Sequence, residues 1–193
     1  MCIRDSFYQP LMNMKTRTVC SFEALLRWYH PRHGLVPPSD FVPLAEEVDE
    51  ISSIGAWVLR TACCEAATWP DHIRVAVNLS PVQFRSGSLV LHVVSALLAA
   101  KLRPDRLELE ITEGLLLQDT ASILETLHQL RNLGVRISLD DFGTGYSSLS
   151  YLRKFPFDKI KIDRSFVRDL ESREDSTAII RAVMSLGGDL GMA

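Results

Sequence analysis

Glu23, Glu110, Asp140 and Asp141, together with Asn78, each fall at or near the end of a short run rich in β-branched residues. Carboxylate and amide oxygens are hard donors, a set that suits Mg2+ or Mn2+ and not zinc or copper. His30, His33, His72, His92 and His128 share no ligand spacing with them. Lys161 ends a further run of the same kind. Several carboxylates beside one lysine suit a centre of two divalent ions, which activates water and clamps both oxygens of an in-line phosphoryl displacement. The bland alternative makes each acid a solvated strand end. That reading suffices for any one of them, but several runs ending in the same chemistry argue against it. The stretch Asp140-Asp141-Phe142-Gly143-Thr144-Gly145-Tyr146-Ser147-Ser148 adds glycines for sharp turns and hydroxyls for a metal or phosphate. It lacks the Lys-Ser/Thr of a Walker loop. Gly187-Gly188-Asp189 reads as a plain helix stop.

The elements that must position these residues follow from periodicity. Strands are predicted over Phe7–Met12, Val19–Trp28, Ile73–Ser80, Leu107–Glu113, Val135–Asp141 and Lys159–Asp163. Helices are predicted over Phe41–Val48, Ile54–Ala67, Leu89–Lys101, Thr120–Leu133 and Ser176–Leu186. Asp119 is the expected N-cap of the fourth helix and Gly134 its stop. Strand–helix alternation argues for an α/β fold with mostly parallel pairing. Side chains alternate across a strand. Val75, Val77 and Leu79 therefore oppose Ala76 and Asn78, and Leu107, Leu109 and Ile111 oppose Glu108, Glu110 and Thr112. Val135, Ile137 and Leu139 likewise oppose Arg136, Ser138 and Asp140, and Ile160 and Ile162 oppose Lys159, Lys161 and Asp163. A doubly wound sheet buries both strand faces under helices and disfavours this pattern. A TIM-like (β/α) barrel keeps helices outside and polar ligands at the C-terminal rim of its interior. A full barrel needs ~250 residues, whereas about six strands are legible in 193 residues. Either the barrel is incomplete or the fold is another one.

Composition sets the outer bounds. The chain is 47% hydrophobic with a net charge of −3, which excludes disorder as its main state and a strongly basic binder of DNA or RNA. Cys2, Cys20, Cys63 and Cys64 form no C-x-x-C pair, so neither a zinc site nor a disulfide framework is signalled, and a cytoplasmic location is expected. The longest apolar stretch, Leu89 to Leu102, carries His92, Ser95 and Lys101 and is short of the ~20 residues of a membrane span.

Glu23-Ala24-Leu25-Leu26-Arg27-Trp28 resembles the name motif of the EAL domain, the cyclic di-GMP phosphodiesterase barrel of bacteria. Val77-Asn78-Leu79-Ser80, Glu110-Ile111-Thr112-Glu113, the Asp140-Asp141 stretch and Lys161-Ile162-Asp163 follow in family order, and Tyr8-Gln9-Pro10 is similar to the family's first strand. The resemblance spans residues 7–193, with residues 1–6 as a leader that does not match. It implies a barrel of the EAL type whose first strand runs antiparallel, about six of eight strands being present. Glu23, Asn78, Glu110 and Asp140 would ligate a Mg2+ or Mn2+ pair, with Asp141 serving the second ion. Lys161 and Asp163 would be the catalytic residues: Lys161 would orient the attacking water and offset phosphate charge, and Asp163 would partner the base or the lysine. Arg27 and Gln9 would contact substrate, and Glu113 would anchor the Asp140-Asp141 loop and couple it to dimerisation. Cyclic di-GMP would be the ligand, a homodimer the assembly, and GGDEF or sensor domains the fused partners. The family's seventh-strand Ala-Glu-Gly-Val-Glu motif would follow Ala193, so the resemblance implies a C-terminally truncated domain, an open barrel inactive by itself. A non-catalytic cyclic di-GMP-binding module is the alternative. A two-carboxylate glycosidase would leave Asn78, Asp140-Asp141 and Lys161 without a use.

Overall fold

The computed structural model describes residues 3–117, 120–143, 152, 155, 157–168 and 174–192. The chain opens with an antiparallel hairpin of β1 (Ile3–Asn13) and β2 (Thr18–His30). Its turn is held by Asn13, whose side-chain oxygen accepts the N–H groups of Lys15 at 2.9 Å and Thr16 at 3.2 Å. β1 begins four residues before the predicted Phe7, so residues 3–6, set apart by sequence as a leader, pair with Tyr29 through Leu26. A short β3 (Gly34–Val36), unforeseen in the sequence, adds antiparallel to β2.

Four parallel strands follow: β4 (Arg74–Asn78), β5 (Leu107–Thr112), β6 (Arg136–Phe142) and β7 (Lys159–Ile162). The sheet runs β1-β2-β4-β5-β6-β7, and only the β1–β2 step of that path is antiparallel. Six strands and an antiparallel start form an open, TIM-like half-barrel, as expected. The described helices are α1 (Pro38–Glu47), α2 (Ile51–Ala66), α3 (Pro81–Arg85), α4 (Leu89–Ala100), α5 (Thr120–Asn132), α6 (Arg164–Arg168) and α7 (Glu174–Asp189). Asp119 and Thr144–Ser148, read above as an N-cap and a ligand loop, lie outside the described residues.

The core lies between sheet and helices. Val75, Leu107, Leu109, Ile111, Ile137 and Leu139 bury fully against Leu59, Ala62, Cys63 and Ala66 of α2 and their neighbours. Each such leucine, isoleucine or valine contributes about 1.5–3 kcal/mol by leaving water. Arg106, also buried, donates to the carbonyl oxygens of Ala66 at 2.7 Å and Ile73 at 3.0 Å, closing carbonyls that the end of α2 and the following loop would leave open. β4 is shorter than predicted because Ser80 leaves the strand to cap α3. Its hydroxyl accepts from Val82 N, while the Gln83 side chain accepts from Ser80 N, and Pro81 fills the first helical position.

β6 carries the decisive irregularity. Its register against β7 shifts between Leu139 and Phe142, and Asp141 inside the shift has φ +54°. A bulge of this kind re-aims side chains at a strand end. Among the described residues no helix is long and apolar enough to cross a membrane.

Candidate metal centre

Five strands deliver one side chain each to the same point inside the half-barrel. Glu23 comes from β2, Asn78 from β4, Glu110 from β5, Asp140 from β6 and Lys161 from β7. Parallel register sets them near a common level: Asn78 is paired with Glu110, and Thr112 with Asp140. The Lys161 ammonium donates to Glu110 Oε2 at 2.7 Å, Asp140 Oδ2 at 2.8 Å and Glu23 Oε2 at 3.3 Å. Asn78 Nδ2 donates to Glu23 Oε1 at 2.7 Å, which turns its carbonyl oxygen away from that contact.

The three carboxylates each offer an oxygen within 4.8 Å of the others. One ammonium against three carboxylates leaves two negative charges uncompensated, the charge of one divalent cation. Glu110 is fully buried, and its Oε1 has no hydrogen-bond partner among the described residues. A buried carboxylate oxygen without a donor is costly unless a cation takes it. The residues therefore fit a hard divalent ion. Burial raises the Glu110 carboxyl to about 7, against the lowering effect of Lys161 and with the charges of Glu23 and Asp140 adding to the rise. For Lys161, burial works toward a neutral amine, but the Glu110 charge and the hydrogen bonds to Asp140 and Glu110 outweigh it and hold the ammonium above its ordinary range.

The other predicted residues are placed around this cluster rather than in it. Asp141 is exposed; burial of part of its carboxyl and the charges of Asp140 and Asp163 raise it. Asp163 sits just ahead of α6 and accepts from Ser165 N at 2.8 Å and from the Ser165 hydroxyl, which holds its carboxyl below the usual range. Glu113, buried, accepts from Gly143 N at 3.3 Å, tying the end of β5 to the turn after β6. Gly143 has φ +98°, and a Cβ there would meet the Phe166 ring at 2.9 Å, so this turn is closed to larger residues. Gln9 stands opposite Glu23 in the hairpin register. The Arg27 guanidinium lies 5.6 Å over the Phe7 ring and donates to Leu26 O at 3.0 Å.

Sequence reasoning passed over a second polar layer. One level below the cluster, Lys159 donates to Glu108, which is 1% exposed. Strand parity had put both on the polar faces, yet nothing in their types marked them as a pair. Ser138, fully buried on the same face, was passed over for the same reason.

Comparison with known proteins agrees with this geometry. A sequence model of the EAL domain matches residues 4–193. An uncharacterized protein, y4lL, of Sinorhizobium fredii is 54% identical over 185 residues, covering 96% of this chain and 22% of the relative. The bifunctional diguanylate cyclase/cyclic di-GMP phosphodiesterase MucR of Pseudomonas aeruginosa is 46% identical over 189 residues, covering 96% of this chain and 28% of the relative. The chain thus spans about a quarter of the length of the curated relatives it matches. A solved structure described as the PaMucR phosphodiesterase in complex with c-di-GMP is 44% identical, covers 98% of this chain and 78% of that one, and superposes with a TM-score of 0.93.

Proposed function

The chain belongs to the EAL domain family, and on that premise we propose that its site hydrolyses cyclic di-GMP to the linear dinucleotide pGpG. Water attacks one phosphorus in line, the bond to the ribose 3′-oxygen breaks, and that oxygen leaves with a proton. The observation that carries the reading is the convergence of Glu23, Glu110 and Asp140 within 4.8 Å around an ammonium. A phosphodiester brings negative charge, and a purely acidic cluster would repel it. Bound Mg2+ or Mn2+ would supply Lewis-acid activation of water and charge compensation at the phosphate.

Glu23, Glu110, Asp140 and the Asn78 carbonyl would hold that metal, and Asp141 would serve a second ion beside it. Lys161 offsets charge on the phosphate, and its contact with Asp140 and Glu110 fixes where it points. Asp163 lies close enough to Asp141 for its charge to act on that carboxyl. Arg27 offers a guanidinium fork to the second phosphate, and Gln9 lines the approach beside Glu23. Glu113, through Gly143, keeps the turn after Asp141 in place. A cytoplasmic location, a homodimer and regulation by cyclase or sensor domains belong to the same proposal. The relatives' greater length supports the further domains.

Two measurements test it. In the natural protein with Mn2+, chromatography should show pGpG accumulating, and Glu23→Ala should abolish it without changing the circular dichroism spectrum. In the 193-residue chain, calorimetric titration should show Mn2+ binding that Glu23→Ala removes. Turnover retained by Glu23→Ala would refute the ligand assignment. Binding of cyclic di-GMP without any turnover would instead favour a receptor.

A further inference from the structure

Away from the metal cluster, a cavity of about 410 Å³ opens between β2, α1 and the start of α2. Strand alternation separates the two sites: Glu23 and Arg27 share the inner face of β2, and Leu26 and Trp28 fall on the outer one. Trp28 and Phe41 meet edge to face at 5.6 Å and line the cavity with Leu26 and Ile54. Phe41, Leu44, Ala45 and Val48 form one apolar stripe along α1 and its C-cap. Phe41 and Ala45 are buried, but Leu44 and Val48, which also line the cavity, are 59% and 67% exposed. Large apolar side chains left open beside an apolar cavity point to a surface that a second body completes. The surroundings are acidic. From Gly34 to Leu59 the chain carries Asp40, Glu46, Glu47, Asp49 and Glu50 and no Lys, Arg or His. Glu50 is the one charged residue of the cavity lining, and its Oε2 accepts from the Ser53 hydroxyl at 2.8 Å. Glu47, Asp49 and Glu50 are exposed and make no ion pair among the described residues.

We propose that this cavity docks a basic amphipathic helix of a protein partner, which buries large apolar side chains against Trp28, Phe41 and Leu44 and sets Lys or Arg beside Glu47, Asp49 and Glu50. Charge complementarity chooses the occupant. A membrane surface rich in anionic lipid attracts basic segments and is repelled by these carboxylates. An extended peptide has no edge to join, because β2 already pairs with β1 on one side and with β4 and β3 on the other. The cavity is therefore walled by side chains, and a helix, whose apolar residues recur at three and four positions, matches it. The apolar anchors supply most of the affinity; the acidic surroundings speed encounter and reject acidic partners. A helix seated on the outer face of β2 leaves Glu23, Glu110 and Asp140 open on the inner one.

Two synthetic peptides of about 16 residues test it, long enough to form a helix on binding. Both carry leucine along one helical stripe; one is filled out with lysine and alanine, the other with glutamate and alanine. Calorimetric titration into the 193-residue chain at low salt should show the lysine peptide binding at least about tenfold more tightly than the glutamate peptide, with the gap narrowing as salt rises. Leu44→Gln removes an exposed anchor and keeps a good helix former, and should weaken the lysine peptide at least about tenfold. Glu47→Gln with Glu50→Gln should weaken the lysine peptide and leave the glutamate peptide no weaker. If Leu44→Gln fails to fold, the indole N–H signals of the unaltered chain decide instead: that of Trp28 should move with the lysine peptide, and that of Trp69, which packs on Tyr8 and Phe22, should stay. A lysine peptide that does not bind, equal binding of the two peptides, or binding indifferent to Leu44→Gln overturns the proposal. So do tighter binding to phosphatidylserine vesicles than to the lysine peptide, which assigns the cavity to a lipid surface, and a dimer in sedimentation that Leu44→Gln dissociates, which assigns it to a second copy.

Discussion

Replacing Lys161 by Met tests whether the ammonium and a divalent cation serve the same carboxylates. Methionine matches the lysine stem and packs in its place, so the change removes charge and little volume. The ammonium makes three ion pairs of 2.7, 2.8 and 3.3 Å, and its side chain is 19% exposed. Removing one member of a buried ionic group costs about 3–5 kcal/mol because the partners stay buried and unpaired. Glu23 and Asp140 keep some contact with water, which screens them, so the lower end, about 3 kcal/mol, is the expected loss. For a chain of this size each kcal/mol moves the midpoint by roughly 2–4 °C, giving a fall of about 6–12 °C in EDTA. Mn2+ should then raise the midpoint of Lys161→Met more than that of the unaltered chain, because three carboxylates attract a divalent ion more strongly than three carboxylates with an ammonium among them. Differential scanning fluorimetry with and without Mn2+ measures both. The argument is refuted if the variant melts with the unaltered chain in EDTA, or if Mn2+ stabilises the two equally.

Leu109→Ala, on the helix-facing side of β5, should cost about 2–5 kcal/mol in urea unfolding while leaving Mn2+ affinity within a factor of two or so; a large loss of metal affinity would mean that the two faces of the strand are not independent. Arg106→Met should destabilise by about 3 kcal/mol or more, since the carbonyls of Ala66 and Ile73 lose a buried donor; an unchanged unfolding midpoint would show that water replaces it freely. Burial pushes the Cys63 thiol up from 9.0 to about 12, so it stays protonated where an ordinary thiol ionises. Its contribution to stability is full below pH 9 and lost as the pH rises through 12. Iodoacetamide near pH 8.5 should therefore modify exposed Cys64 well before Cys63 by peptide mass spectrometry, and equal rates would contradict the burial of Cys63.

Strand parity made most of the candidate metal centre legible. Glu23, Asn78, Glu110, Asp140 and Lys161 are each preceded by residues whose alternation assigns the inner face, and parallel register does the rest. What parity could not see is local backbone. The bulge in β6 puts Asp141 at positive φ, so the two adjacent aspartates have different neighbours: Asp140 meets Lys161, and Asp141 lies near Asp163. Ile73–Ser80 alternates well enough to read as strand through Ser80. The capping pattern Ser80-Pro81-Val82-Gln83 was there to be read, but a helix of five residues leaves too short a periodicity to compete with it. β3 was missed for the same reason, being three residues long and held only by β2.

The second ionic layer explains why the upper one can be placed so firmly. β5 carries Glu108 and Glu110, and β7 carries Lys159 and Lys161, each pair two residues apart. Both lysines reach across β6 to a glutamate of β5, Lys159 to Glu108 and Lys161 to Glu110. A slip of β7 by one residue would turn Ile160 and Ile162 toward four buried carboxylate oxygens and press both lysines into the apolar layer under the helices, where neither finds a partner. A slip by two would pair one lysine and strand the other. The lower pair thus excludes registers that the upper pair alone would tolerate. It leaves Lys161 at the height where its ammonium meets Glu23, Glu110 and Asp140 together.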